Sequence, residues 1–208
     1  MAVAMEAGVL SFGNKEEAKA ILSGLYQKEP LSRIIASGVV TAARVFGVYH
    51  VPAVKGQGMA GYEPRGLKGL GVTYATSPQG ADHTAGHTMS AKLDHHKPEG
   101  QAAASKKSQR LTTVFDVLGF CSFVGPALRE TPEIIVEVIN KFFDWNLSLE
   151  DFLNIGTNTL KLELEFNRKA GFNKLHDRLP ESFNEEINLA TGTIFDVSDD
   201  DLDSVTQL

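Results

Sequence analysis

The chain has one cysteine, Cys121, in 208 residues. A lone thiol excludes an internal disulfide framework and any self-contained cysteine-based zinc or iron–sulfur site. It suits a reducing, cytoplasmic setting. No apolar run reaches the roughly 18 residues that a spanning helix needs, so no membrane helix is expected. The mildly apolar start, residues 1–13, has no Lys or Arg before it, so no secretory signal is expected either. Positive charge is scarce as well: 20 Lys and Arg stand against 26 Asp and Glu, a net charge of −6. A general nucleic-acid binder needs a basic field, and that field is missing.

What is present is globular. Hydrophobic residues make up 42% and charged residues 22%, enough to bury a core in one large domain or two small ones. Residues 2–9 read as the end of a helix whose start lies upstream. Asn14 can cap a helix over Lys15–Lys28, where Ala18, Ile21, Leu22 and Leu25 recur at helical spacing. Pro30 can open the next helix, with Ile34, Ile35, Gly38, Val39 and Ala42 on one face and Gly47 at its end. Tyr49–Lys55 reads as a short extended segment. The polar stretch Lys92–Lys107 reads as a surface loop. Gln109–Val124 reads as an apolar helix that Pro126 breaks. Thr131-Pro-Glu133 and Ser148-Leu-Glu-Asp151 are two helix starts, the second close to a capping box. After Ser148 the pattern Phe152, Ile155, Thr159, Leu162, Phe166 runs to about Lys169, where Gly171 stops it. The acidic end, Asp199–Asp203, reads as an exposed terminus. The fold class is all-α, an irregular multi-helix arrangement. Its expected division is 1–90, a polar loop over 91–108, and a C-terminal helical domain over 109–208.

The chemistry concentrates in 61–88, GYEPRGLKGLGVTYATSPQGADHTAGHT. Glycines 61, 66, 69 and 71 let backbone N–H groups approach an anion, with Arg65 and Lys68 adding charge and a helix start near Arg65 adding its positive end. The same residues also read as a glycine-rich turn before a close-packed helix. No Gly-Lys-Ser/Thr follows, so this is not a P-loop. His83 and His87 have the spacing of zinc ligands on a helix, but the glutamate of a zinc peptidase motif is missing and Gly86 weakens the helix. His83, after Asp82 in a glycine-lined loop, reads as a proton donor or acceptor, or as a structural histidine. His95 and His96 read as surface residues, and His176 as a local hydrogen-bonder. Asp116-Val-Leu-Gly-Phe-Cys121 sets a carboxylate in an apolar run. Burying it costs several kcal/mol unless N–H donors satisfy it, as a polar heterocycle would. Cys121 reads as a thiolate ligand or as a small buried residue.

These segments together resemble the C-terminal part of the aldehyde:ferredoxin oxidoreductases, the tungsten-pterin enzymes. Tyr62-Glu-Pro-Arg-Gly-Leu-Lys-Gly69, Tyr74-Ala-Thr-Ser77 and Gly80-Ala-Asp-His83 resemble that family's active-site stretch. Asp116-x-x-Gly-Phe-Cys121 resembles its second pterin-binding motif. Phe166-Asn-Arg-Lys-Ala-Gly-Phe172 and Asp177-Arg-Leu-Pro-Glu181 resemble its penultimate helix and turn. The match runs over about residues 1–185, and the resemblance implies helical domains.

It also implies roles. Asp116, with Gly119 and Phe120, meets the pterin, and Arg65 and Lys68 join the cofactor-binding set. Cys121 is one ligand of a [4Fe-4S] cluster. His83 lies beside the metal and assists proton transfer, and Tyr62 lines the same pocket. The implied reaction oxidises an aldehyde to a carboxylic acid at a tungsten (or molybdenum) bis-pterin and passes electrons through the cluster to ferredoxin.

The departures are equally specific. Three further cluster cysteines, the N-terminal β domain, the first aspartate motif and the active-site glutamate have no counterpart, and Phe120 stands where leucine is usual. The expectation is therefore a C-terminal fragment or subunit that is inactive alone and needs the missing cluster-binding and N-terminal regions. The alternative is a degenerate or split-gene protein that acts only as a partner- or pterin-binding module. A small zinc or hydrolase domain using His83 and His87 is the third reading. Uncovered apolar faces suggest a homodimer.

Overall fold

The computed structural model describes residues 1–128 and 131–208. Four helices come first: α1 (Ala2–Glu6), α2 (Lys15–Gln27), α3 (Pro30–Ala36) and α4 (Val39–Phe46). A hairpin of β1 (Ala53–Val54) and β2 (Gln57–Gly58) follows. Then come α5 (Lys68–Thr76), α6 (Gln101–Val117), α7 (Gly125–Leu128), α8 (Glu133–Phe143), α9 (Leu149–Lys169), α10 (Ser182–Glu185) and α11 (Asp199–Thr206). The fold is all-α, as the sequence pattern predicts.

Local chemistry sets several boundaries as expected. The Asn14 side chain accepts from the N–H groups of Glu16 and Glu17, which starts α2. Ser148 and Asp151 form a reciprocal capping box at α9. Gly47 and Gly171 take positive φ (69° and 96°) where α4 and α9 end.

Other expectations are corrected. The Pro30–Gly47 segment is two helices, because Gly38 (φ 97°) breaks it. The Ala18–Leu25 stripe packs little: Leu22 is exposed, and α2 buries Gly24 against Ser32 instead. The stretch 91–108 is loop only to Gly100. Its polar residues Gln101, Ser105 and Gln109 are buried on the inner face of α6: Gln101 donates to the Asp94 carbonyl, Gln109 to the Ser105 hydroxyl, and Ser105 meets the Thr73 hydroxyl. That helix ends at Val117, before Pro126 and before the Asp116–Cys121 motif is complete. At α8 the helix begins at Glu133, and Thr131 makes no side-chain cap. The acidic end is not a loose terminus. Ser198 caps α11, and Leu202 and Val205 are buried on α5 and α6.

Helix α5 lies at the centre and is buried at every position. Around it pack α6, α11, Leu179, Phe195 and Val197. A second cluster joins α6 to α8 and α9 through Val114, Phe115, Ile135, Ile139 and Phe152. A third joins Val3 of α1 to Ala42 and Ala43 of α4. Helix α6 is therefore shared by two cores, and it carries the site.

Candidate functional site

Glycines in α5 are there for packing. A Cβ at Gly69 would overlap Thr88 and Gln101, and one at Gly71 would overlap Phe195. Of the two readings of the Gly61–Thr88 block, the close-packed helix is the one the structure has over Lys68–Thr76. Arg65 and Lys68 are also committed within the chain. Arg65 grips Glu63 through Nε (2.8 Å) and Nη2 (3.0 Å) and donates to the Glu186 carbonyl. Lys68 is buried and pairs with Asp196.

Beyond α5 the chain returns as a short wall. Residues His83–Ala85 form one 3-10 turn, started by Asp82, whose carboxylate accepts from the Thr84 N–H at 2.8 Å. Gly86 is extended and lies against Gln109, so His83 and His87 do not share a helix face. The Thr73 hydroxyl donates to the Gly86 carbonyl at 2.8 Å and fixes the wall to the core. Both imidazoles nevertheless meet one ring. Tyr62 lies 5.4 Å from His83 and 5.5 Å from His87, centroid to centroid. His83 Nδ1 is 3.7 Å from the Asp82 carboxylate, an electrostatic neighbour rather than a hydrogen-bond partner. Among the described residues no group of three or more His, Cys, Asp or Glu could hold a metal ion, which leaves the zinc reading without a site.

Behind this cluster stands Tyr74, which sequence reading placed only in a motif. Its ring is fully buried, and among the described residues its hydroxyl has no hydrogen-bond partner. Burial, with the nearby Tyr62 and Asp82, pushes its pKa up to about 12. The phenol thus keeps its proton and has no acceptor for it among the described residues.

The other side of the 82–85 turn opens on a cleft of about 510 Å³ between α6 and α9. Ser77, Pro78 and Gln79 border it, as do Thr84 and Ala85. Its α6 wall is the stripe Gln109, Thr113, Asp116 and Val117, and its α9 wall is Thr159, Leu160 and Glu163. Lys55 holds the Ser77 edge in place. It donates to the carbonyls of Ala75 (2.8 Å) and Ser77 (3.0 Å) at the C-terminus of α5. Asp116 is exposed at the cleft mouth, not buried in an apolar run as the sequence suggested. Desolvation, then the Asp82 charge, raises its pKa. Glu163, absent from the sequence-derived candidates, is raised by burial and then by Asp116. No motif marks it, since its place depends on how α9 lies on α6.

The Asp116 motif continues out of the helix. Gly119 turns the chain at φ 74°, and the Phe120 ring packs edge-on against Phe115 at 6.1 Å. Cys121 follows, exposed rather than buried. So His83 packs on Tyr62, and Asp116 borders the cleft that Thr84 and Ala85 of the same turn line, whereas Arg65 and Lys68 are held by their own partners.

The family described as aldehyde ferredoxin oxidoreductase, domains 2 and 3, matches residues 3–205. The tungsten-containing aldehyde ferredoxin oxidoreductases of Pyrococcus horikoshii and Pyrococcus abyssi are each 31% identical over 185 residues. That of Pyrococcus furiosus is 28% identical over the same length. Each match covers 84% of this chain and 30% of the relative, so the chain spans under a third of the curated relatives it resembles.

Proposed function

The chain belongs to the aldehyde ferredoxin oxidoreductase family, and on that premise we propose that it supplies the C-terminal wall of a pterin-held tungsten (or molybdenum) site that oxidises an aldehyde to a carboxylic acid. The bound metal supplies the two-electron redox chemistry. This chain's residues bind, orient and handle protons around it. The observation that supports the reading is the 82–85 turn, which carries His83 against Tyr62 and, through Thr84 and Ala85, lines the cleft that Asp116 borders.

Asp116 accepts hydrogen bonds from the heterocycle, and Gly119 and Phe120 shape the turn that follows it. The raised pKa of Asp116 fits a carboxylate that lacks donors among the described residues. His83, beside the Asp82 carboxylate, moves a proton at the substrate, and Tyr62 packs along the imidazole and closes that side. Arg65 and Lys68 act from behind, holding Glu63 and Asp196 so that α5 starts where it does.

The cluster is a different matter. Cys121 can give one thiolate, and one thiolate does not hold a [4Fe-4S] centre. The further ligands, the N-terminal base of the cofactor and the docking of ferredoxin belong to regions that this chain does not contain. Electron transfer through a cluster is accordingly assigned to the complete assembly.

The test is metal content and aldehyde-dependent dye reduction. The 208-residue chain purified alone is expected to hold neither tungsten nor iron in stoichiometric amount. The assembly captured from source cells through a tag on this chain is expected to hold both and to reduce the dye. His83→Ala and Asp116→Ala should each abolish that reduction. Activity that survives both substitutions sinks the catalytic reading.

A further inference from the structure

The cleft between α6 and α9 carries two carboxylates, and only Asp116 has so far been given work. Glu163 faces the same space from α9. Neither has a cationic side chain among the described residues that draws its charge down, and each is disfavoured as an anion by partial desolvation at the cleft and by a neighbouring carboxylate. Two like charges in one cleft are costly to maintain unless a ligand brings donors to both. A second, independent feature lines the same cleft. Thr113, only 8% exposed, is on the cleft-lining stripe of α6, and its hydroxyl makes no hydrogen bond among the described residues. That hydroxyl is open to the cleft and available to a bound molecule. The position of Glu163 is enforced by close helix packing. At Gly156 a Cβ would overlap the Arg110 carbonyl, so α9 lies against α6 as tightly as backbones allow.

We infer that Glu163 is a second recognition carboxylate of this cleft, accepting from the N–H donors of a neutral amino-substituted heterocycle of pterin type that Asp116 holds from the facing helix. Thr113 supplies a hydroxyl in the same cleft. A pterin presents an amino group beside a ring N–H on one edge and, when reduced, further ring N–H groups on another. Two carboxylates on facing helices match that distribution, whereas a single one leaves an edge unread. The inference rests on the pterin reading of Asp116 given above.

The experiment is a fluorescence titration of the full chain with free pterin (2-amino-4-oxopteridine), which needs no metal and no turnover. Wild type should quench the pterin saturably. Glu163→Gln, Glu163→Ala and Asp116→Asn should each weaken binding by roughly tenfold, the loss of about one hydrogen bond to a charged group. Glu165→Gln, on the same helix in an exposed pair with Lys169, should bind as wild type. Circular dichroism checks that each variant keeps its helices. If Asp116→Asn weakens binding and both Glu163 variants bind as wild type, the role of Glu163 is overturned and the pterin reading stands. Should wild type show no saturable quenching, or neither carboxylate matter, both readings fall.

Discussion

His50 sits between two carboxylates from opposite ends of the chain. Its Nδ1 is 2.9 Å from Glu6 and its Nε2 2.9 Å from Glu186. Those hydrogen bonds, Glu186 first, raise its pKa above the ordinary 6.5. The folded chain therefore holds this proton more tightly than the unfolded one. The stabilisation is full below the unfolded pKa and is lost as pH rises through the folded value. Because all three side chains are half-exposed, solvent screens the effect and it is felt locally, at α1. Amide exchange in α1 should accelerate between about pH 6 and about pH 8, and His50→Gln should exchange fast at both. An exchange rate that tracks only the intrinsic chemistry in wild type would remove the clamp. This pairing spans 136 positions along the chain, so no local pattern in the sequence could announce it. By contrast, the Ser148–Asp151 box is a spacing rule and was readable directly.

Helices divide along similar lines. Caps and stops follow from a few adjacent residues, which is why the starts of α2 and α9 and the ends at Gly47 and Gly171 were legible. Which face a helix buries was less so. In α9 the apolar series continues through Leu162 and Phe166, but the core takes Leu160 and Leu164, leaving the other two exposed. The neighbour decides the face, and the neighbour here is α6, met across Gly156. Replacing Gly156 with Ala must push the two backbones apart. Overpacking of this kind costs about 2–3 kcal/mol. Urea unfolding should show that loss in the midpoint with little change in slope, and pterin quenching should fall along with it. A G156A variant as stable as wild type would show that the helices are not in true contact. The polar face of α6 was misjudged for a related reason. Gln101, Ser105 and Gln109 look solvated in sequence, yet in the core their donors find carbonyls and hydroxyls of α5 and the preceding loop.

Over the whole molecule, large side chains remain uncovered. Phe142, Phe143 and Trp145 stack at the end of α8, and Leu162 and Phe166 lie open on α9. Surfaces of this kind seek a partner. The chain on its own should self-associate with rising concentration in sedimentation velocity. Serine at Phe142 and Trp145 should shift it toward monomer, and a wild-type monomer at every concentration would refute the expectation. None of the described helices is long and apolar enough to cross a membrane.

The sequence by itself determined the all-α class, the helix ends set by local caps and stops such as Asn14, Gly47, Ser148 and Gly171, and the family, because each depends on residues close together or on motifs kept in order. Only the tertiary structure decided that the glycine block is the central helix, that Arg65 and Lys68 are held by their own partners, and that Asp116 shares its cleft with Glu163. Those outcomes depend on which distant surfaces meet. Whether a carboxylate is buried, paired or left facing a cleft is a property of its surroundings, and the surroundings of Asp116 are assembled from segments far apart in the chain.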